Sequence, residues 1–214
     1  MSRYEKVLLV LISFLCGILG LCVAIACTAE AEPITVRVVA VRGENMLPAA
    51  QTKRIMQQAL RYYDNACWIN IKLKRFEVRK NPMPWIGNGL SDTKTILYAW
   101  ESWFKGQRSK VDIKFAVLPP LKDSAQYWIA GYSTDSCDRG GTGYSTAEPK
   151  NQQGYARVVH SATAMRHELG HLLGATDRSG SGLMDTGVLY QIGAGIPELD
   201  AHSQWEIVRC AGRW

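Results

Sequence analysis

Two histidines four residues apart constrain the fold of this chain more than any other feature. His167 and His171 stand on either side of Glu168 in the run HELGHLLG, and Asp177 follows shortly after. Residues four apart lie on one face of an α-helix, so both imidazoles can reach one metal ion. Glu168 lies beside the first histidine, where its carboxylate can reach a water on that metal. The run predicts a helix that carries a catalytic zinc site.

A third ligand is expected from the residues that follow this helix. Gly174 lets the chain leave the helix and turn back, and Asp177 comes three residues later. Glu198 and Asp200 are rival ligands, because a distant carboxylate can also return to such a helix. The competing interpretation of the whole run is an amphipathic helix with two histidines on its polar side.

The segment from residue 156 to residue 185 resembles the zinc-binding signature of the metzincin metalloproteases. That signature is HExxHxxG, two further residues and a His or Asp, followed by a turn that contains methionine. The first eight residues are very similar to matrixins, whereas an Asp at position 177 is typical of the snapalysin-like branch. The spacing of Gly174 and Met184 matches the family and favours Asp177 over the two rival carboxylates.

The metzincin resemblance implies a site and a fold. His167, His171 and Asp177 would bind Zn²⁺, Glu168 would be the general base of peptide hydrolysis, and Met184 would form an apolar floor. The implied α+β fold is metzincin-like: a twisted mixed β-sheet, the zinc helix beneath it, the methionine turn and a C-terminal helix. In that family an edge strand pairs with the substrate peptide, and residues 129–132 are the candidate here. Tyr190 has the wrong spacing from Met184 for an oxyanion donor, which favours a structural role.

Hydrophobic periodicity predicts the remaining elements. Strands are predicted at 34–41, 68–78, 111–118, 127–132 and 156–160. Helices are predicted from Pro48 to Cys67, from Ser91 or Asp92 to Gly106, from Ser161 or Thr163 to Gly174, and from Pro197 onward with Leu199, Trp205 and Val208. Residues 133–154 are polar and glycine-rich, and a loop is expected there.

The N-terminal segment, residues 1–31, is predicted to be a signal peptide or membrane anchor. Arg3 and Lys6 precede an almost wholly apolar run from Val7 to Cys27, and Ala29-Glu30-Ala31 fits a cleavage site. The residues before Cys27 also resemble a bacterial lipoprotein box, and the apolar run is long enough to span a bilayer. Cleavage, lipid attachment and retention through residues 7–27 all place the catalytic domain, residues 32–214, outside the cytoplasm.

Charge gives weaker information than the motif. The formal net charge is +6, and its densest basic piece is Lys72 to Arg75 with Arg79 and Lys80. Those residues alternate partly with apolar ones, which favours a solvated strand face over a nucleic-acid site. No nucleic-acid partner is expected.

Several other polar residues receive structural interpretations. Three cysteines follow the leader, at positions 67, 137 and 210, and allow one disulfide in any of three pairings. Calcium could be considered at Asp135, Asp138 and Glu148, but the spacing of a calcium loop is absent. His160 and His202 are expected to be structural.

The sequence predicts an exported zinc-dependent endopeptidase that acts on a peptide or protein. The alternative is a non-catalytic exported module that contains zinc and binds a partner. An intact Glu168 favours the enzyme, since a structural zinc site needs ligands but no base. The oligomeric state stays open.

Overall fold

The computed structural model of the chain describes residues 32–43, 46–83, 92–107, 110–122, 128–134, 141–146, 154–179, 182–185 and 196–214. Residues Pro33–Trp214 form one compact unit. The predicted leader falls outside these residues, so its cleavage, lipid attachment or retention stays a prediction. Within the described part, no helix is both long and apolar enough to span a bilayer.

A five-stranded sheet organises the unit, and a separate two-stranded sheet accompanies it. The strands of both sheets are β1 (Ile34–Arg42), β2 (Ile71–Lys80), β3 (Ile113–Leu118), β4 (Leu121–Lys122), β5 (Trp128–Ile129), β6 (Gly131–Ser133) and β7 (Gly141–Thr146). The large sheet has the order β2-β1-β3-β7-β6, and β4 pairs with β5. Neighbouring strands of the large sheet are parallel except β6, which runs antiparallel to β7 and forms one edge. The predicted mixed sheet is therefore present.

Helices cover both faces of the large sheet. They are α1 (Ala49–Cys67), α2 (Thr93–Gly106), α3 (Gly154–Leu172) and α4 (Ala201–Ala211). Val36 and Val38 of β1 point into a core shared with α1, α3 and α4, whereas Val39 and Val41 point into a second core shared with α2. Side chains alternate across a strand, so the unbroken run of apolar residues in β1 is explained by burial on both faces.

The first half of the unit agrees with the sequence prediction. β1, β3, α1 and α2 lie at the predicted places, and β2 begins three residues later than expected. Trp68 causes that delay, because it caps α1 in a left-handed conformation (φ 55°) before β2 starts. Asp92 caps α2, and its side chain accepts a hydrogen bond from the backbone N–H of Thr95, at 2.7 Å. Local sequence preferences are sufficient in this half.

The polar loop predicted at residues 133–154 is wrong in part, because it contains β7. All six residues of this strand are buried between β3 and β6. Gly143 has no room for a side chain: a Cβ there would lie 2.9 Å from Ser133 Cβ and 3.0 Å from Leu172 Cδ1. The strand is glycine-rich because α3 and β6 approach its backbone closely.

The strand predicted at residues 156–160 is also wrong, because α3 already begins at Gly154. Ser161 and Thr163 lie inside the helix and do not cap it. The Thr163 hydroxyl donates to the carbonyl oxygen of Val159, one turn earlier, at 2.8 Å. This bond satisfies a buried hydroxyl inside the helix, as threonine side chains within helices commonly do.

Two further predictions need correction. The strand expected at 127–132 is divided at Ala130 into β5 and β6, which belong to different sheets. The last helix begins at Ala201, after Asp200 as its N-cap, rather than at Pro197. Its buried residues are Ser203, Ile207 and Cys210, whereas Trp205 and Val208 are about half exposed. The buried face of this helix is therefore not the one predicted from Trp205 and Val208.

Candidate functional site

The end of α3 is built so that the chain reverses directly below the two histidines. Gly174 has φ 98°, a left-handed conformation that favours glycine. The N–H of Gly174 donates to the carbonyl of His171 at 2.8 Å, and the N–H of Ala175 donates to the carbonyl of Gly170 at 2.9 Å. This pair of bonds is a Schellman motif. It brings the following segment, with Asp177, back toward the helix.

Both imidazoles are oriented by backbone carbonyls. Nδ1 of His171 lies 2.9 Å from the carbonyl oxygen of Ala175, and Nδ1 of His167 lies 2.8 Å from that of Leu183. A carbonyl oxygen only accepts, so each Nδ1 carries the proton and donates it. Each Nε2 then has its lone pair available to a metal. The pKa of His167 lies below its usual value because the side chain is buried. The hydrogen bond with Leu183 and the negative charge of Asp177 would raise this pKa, but burial outweighs them.

Three potential ligand atoms converge at the end of α3. Nε2 of His167 and Nε2 of His171 are 3.1 Å apart, and each lies 3.3 Å from Oδ1 of Asp177. Tetrahedral zinc with bonds of about 2.0–2.1 Å separates its ligand atoms by about 3.3–3.4 Å. The donor set of two neutral imidazoles and one carboxylate also suits zinc. The residues present therefore fit a zinc ion on both distance and chemistry.

The carboxylate of this group is Asp177, and the rival carboxylates lie elsewhere. Oδ1 and Oδ2 of Asp200 accept hydrogen bonds from the first turn of α4, and Glu198 is exposed on the preceding segment. Among the described residues, the His, Cys, Asp and Glu side chains placed to share a metal are the three at 167, 171 and 177. Asp177 is half exposed, whereas the side chain of His171 is only 7% exposed. The group therefore opens to solvent on its aspartate side.

The segment that carries Asp177 is held by α4. Thr176 donates through its backbone N–H to Oε2 of Glu206 at 3.0 Å and through its hydroxyl to Oε1, also at 3.0 Å. His202, which was expected to be structural, lies 3.2 Å from the same carboxylate. Glu206 thus fixes the residue next to Asp177 from a second element.

Met184 lies in a tight turn packed beneath α3. The N–H of Arg178 donates to the carbonyl of Met184 at 2.8 Å, and the N–H of Leu183 donates to that of Glu198 at 2.9 Å. Gly182 has φ 64°, and a Cβ there would overlap the carbonyl oxygen of Glu198. Met184 is fully buried. The turn is tied on both sides, and it presents the Leu183 carbonyl to His167.

Glu168 is buried above this group, against the edge of the large sheet. It is 6% exposed, and its Oε2 accepts a hydrogen bond from the hydroxyl of Ser133 at 2.7 Å. Ser133 ends β6, the edge strand. No local sequence pattern points to Ser133, because its contact with Glu168 depends on where β6 pairs in the sheet.

Of the other residues singled out in the sequence, some are described by the structure and some are not. Those outside the described residues are Tyr190, Asp135, Asp138, Glu148 and Cys137. Cys67 is a buried free thiol, and burial raises its pKa to about 11. Any disulfide that involves Cys137 stays a prediction. Arg75 and Arg79 of the basic stretch pair with Glu77 of the same strand, at 2.9 and 2.6 Å.

The fold is similar to solved structures of zinc peptidases. Archaemetzincin from Methanopyrus kandleri matches with a TM-score of 0.61 and 15% identity, over 87% of this chain and 99% of that one. A zinc-dependent peptidase from Methanocorpusculum labreanum matches with a TM-score of 0.54 and 11% identity, over 80% and 99%. Metalloproteinase-II from Bacteroides fragilis matches with a TM-score of 0.57 and 16% identity, over 86% of this chain and 55% of that one.

Other comparisons give no match: no protein-family model and no curated protein matches the chain. At identities of 11–16%, the structural likeness establishes the fold and does not transfer an activity. The chain therefore has the fold of zinc metallopeptidases, with two histidines and an aspartate gathered at the end of α3.

Proposed function

We propose that the chain is an exported zinc-dependent endopeptidase of the metzincin type. His167, His171 and Asp177 bind the zinc, and Glu168 is the general base. The observation that carries this proposal is the triangle of two Nε2 atoms and one Oδ1 atom, with sides of 3.1, 3.3 and 3.3 Å. A purely structural zinc site normally has four protein ligands, whereas three leave a position open. The buried Glu168 one residue after His167 supports catalysis rather than structure.

The reaction needs both a Lewis acid and a base. His167, His171 and Asp177 would hold the zinc, which when bound would supply a Lewis acid to polarise the scissile carbonyl and acidify the attacking water. Glu168 takes a proton from that water as the carbon–oxygen bond forms, and gives it to the amine nitrogen as the carbon–nitrogen bond breaks. The low exposure of Glu168 and His171 supports this role, because charges act more strongly where water is excluded.

The edge strand β6 supports a peptide substrate. The N–H of Thr146 donates to the carbonyl of Ala130 at 2.8 Å, and the N–H of Thr134 donates to that of Thr142 at 3.1 Å. In an antiparallel pair, residues alternate between facing the partner strand and facing away. Gly131 and Ser133 therefore direct their backbone groups away from β7, toward the edge of the described sheet. An extended peptide added there would gain backbone hydrogen bonds without a requirement for its sequence.

Export rests on the leader rather than on the fold. The basic start, the apolar run from Val7 to Cys27 and the small residues around Ala31 favour a secreted or surface-anchored enzyme. Separation of membrane and soluble fractions, with the N-terminus of the mature protein determined, tests this part of the proposal.

Replacement of Glu168 tests the activity. Glu168→Ala is expected to keep the bound zinc but to lose cleavage of a quenched peptide library by at least about a hundredfold. Glu198→Ala is the matched control, because it removes an exposed carboxylate outside the metal group. Equal cleavage by Glu168→Ala and the parent would contradict the proposal. A parent that binds zinc and cleaves no peptide would support the non-catalytic binding module instead.

A further inference from the structure

A buried hydrogen bond joins the edge strand to the proposed base. The hydroxyl of Ser133 donates to Oε2 of Glu168 at 2.7 Å, and both residues are only 6% exposed. An ionised carboxylate only accepts, so the serine proton lies between the two oxygen atoms. Hydrogen bonds to ionised groups are the stronger kind, and this one is shielded from water. The contact therefore fixes one of the two oxygens of Glu168.

Gly131 leaves room for the other oxygen. A Cβ at this position would lie 2.6 Å from Cγ of Glu168 and 2.7 Å from its Oε1. The same Cβ would also lie 2.7 Å from the carbonyl oxygen of Tyr144 in β7, so any larger residue would displace the carboxylate, the strand or both. Glu168 thus lies directly against the backbone of β6, with Oε2 at Ser133 and Oε1 at Gly131.

The alternation of the strand explains how one residue can serve two purposes. Tyr132 packs against the core on the α2 side of the sheet, whereas the side chain of Ser133 reaches Glu168 of α3. The backbone N–H and carbonyl of Ser133 face away from β7 instead, because the bonds between β6 and β7 are made at Ala130 and Thr134. Its side chain and its backbone therefore serve different partners.

We propose that Ser133 is a positioning residue, whose hydroxyl holds Oε2 of Glu168 so that Oε1 receives the proton of the attacking water. The proposal rests on the proposed peptidase function. In the reaction, Oε1 takes the proton from water and returns it to the leaving amine. Ser133 keeps its own proton throughout. Because the same strand would pair with the peptide, the base and the scissile bond are aligned by a single element.

Two variants of Ser133 and one neighbour test this role. Ser133→Ala removes the hydroxyl and retains the backbone groups, so kcat should fall about ten- to a hundredfold, with KM and bound zinc unchanged. Ser133→Thr restores a hydroxyl beside the same carboxylate and should recover part of kcat. Thr134→Ala is the matched control: among the described residues its hydroxyl contacts the backbone of Thr142, at 3.3–3.4 Å, and kcat should stay at the parent value.

A thermal measurement tests the contact without any need for activity. Ser133→Ala should lower Tm in the parent but leave Tm unchanged when Glu168 is already alanine, because the partner of the hydroxyl is then gone.

The outcomes separate this proposal from the peptidase proposal. A parent that cleaves, with Ser133→Ala equal to it in kcat or altered in KM alone, overturns the role of Ser133 only. An equal loss of kcat in Thr134→Ala, or no recovery of kcat in Ser133→Thr, also overturns the role of Ser133 and leaves the peptidase proposal standing. A parent that cleaves no peptide overturns both proposals, even if the thermal cycle shows that the contact exists.

Discussion

Nδ1 of His167 lies 2.8 Å from the carbonyl oxygen of Leu183, so the first proposed zinc ligand is oriented by the turn that carries Met184. The same turn packs beneath α3 at Gly170, which lies between the proposed base and the second histidine. The geometry of the metal group therefore depends on how closely this turn approaches the helix.

Gly170→Ala tests that close approach. An added Cβ would lie 2.6 Å from Sδ of Met184 and 2.9 Å from the hydroxyl oxygen of Tyr63. Alanine favours a helix by about 1 kcal/mol over glycine, but overpacking of this kind costs about 1–3 kcal/mol. We expect a lower Tm and weaker zinc binding. Gly106→Ala, where nothing lies within 4 Å of the added Cβ, should keep both values. Equal behaviour of the two variants would contradict this account.

Tyr63→Phe tests the anchor between α1 and α3. The Tyr63 hydroxyl donates to the carbonyl of Arg166 at 2.6 Å, and the side chain is fully buried. Loss of this bond should cost about 1 kcal/mol in the free energy of unfolding. Chemical denaturation measures it, with Tyr98→Phe as the exposed control. If Tyr98→Phe lowers the free energy of unfolding by the same amount, the hydrogen bond of Tyr63 is not the cause of the loss.

Glu206→Ala tests the support of Asp177 from α4. Without the carboxylate, both hydrogen bonds that hold Thr176 are lost, and Asp177 gains freedom next to them. We expect zinc affinity, measured by competition with a chelator, to fall about tenfold. Glu101→Ala removes a carboxylate paired with Lys105 on α2 and should leave the affinity unchanged. If Glu206→Ala binds zinc as tightly as the parent, Asp177 does not need the support of Glu206.

Glu77 is expected to make stability depend on pH. Burial alone would raise the pKa of Glu77, but hydrogen bonds and charges from Arg37 and Arg79 outweigh it and hold the pKa below its usual value. A carboxyl whose pKa is lowered by folding stabilises the protein above its unfolded pKa, about 4.3, and this contribution is lost as pH falls further. Unfolding at pH 7 and pH 4 should therefore show a larger gap between the parent and Glu77→Gln at pH 7. A gap of the same size at both pH values would contradict the prediction.

The proposed ligand residues could be named from the sequence because their information is local. Helical spacing alone puts His167 and His171 on one face, and Gly174 supplies the left-handed residue that returns the chain to Asp177. These short-range features bring the three side chains together, whereas the Met184 turn and Glu206 of α4 then hold them in place.

The residues missed from the sequence depend on distant partners. Gly141 to Thr146 look like a loop until β3, β6 and α3 surround them, and a buried strand is the consequence. The run before Ser161 looks like a strand because its β-branched residues favour one, yet packing of α3 against the sheet overrides that preference. Ser133 meets Glu168 only because both partners are set by these tertiary contacts.

The most direct test of the central claim is a zinc titration of the metal-free protein, with bound zinc and peptide cleavage measured in the same samples. We predict that cleavage rises in proportion to bound zinc and saturates at one zinc ion per chain. Asp177→Ala lacks one of the three proposed ligands, so it should need more zinc than the parent to reach the same occupancy. Cleavage that persists in excess chelator, or a protein that binds no zinc, would contradict the account.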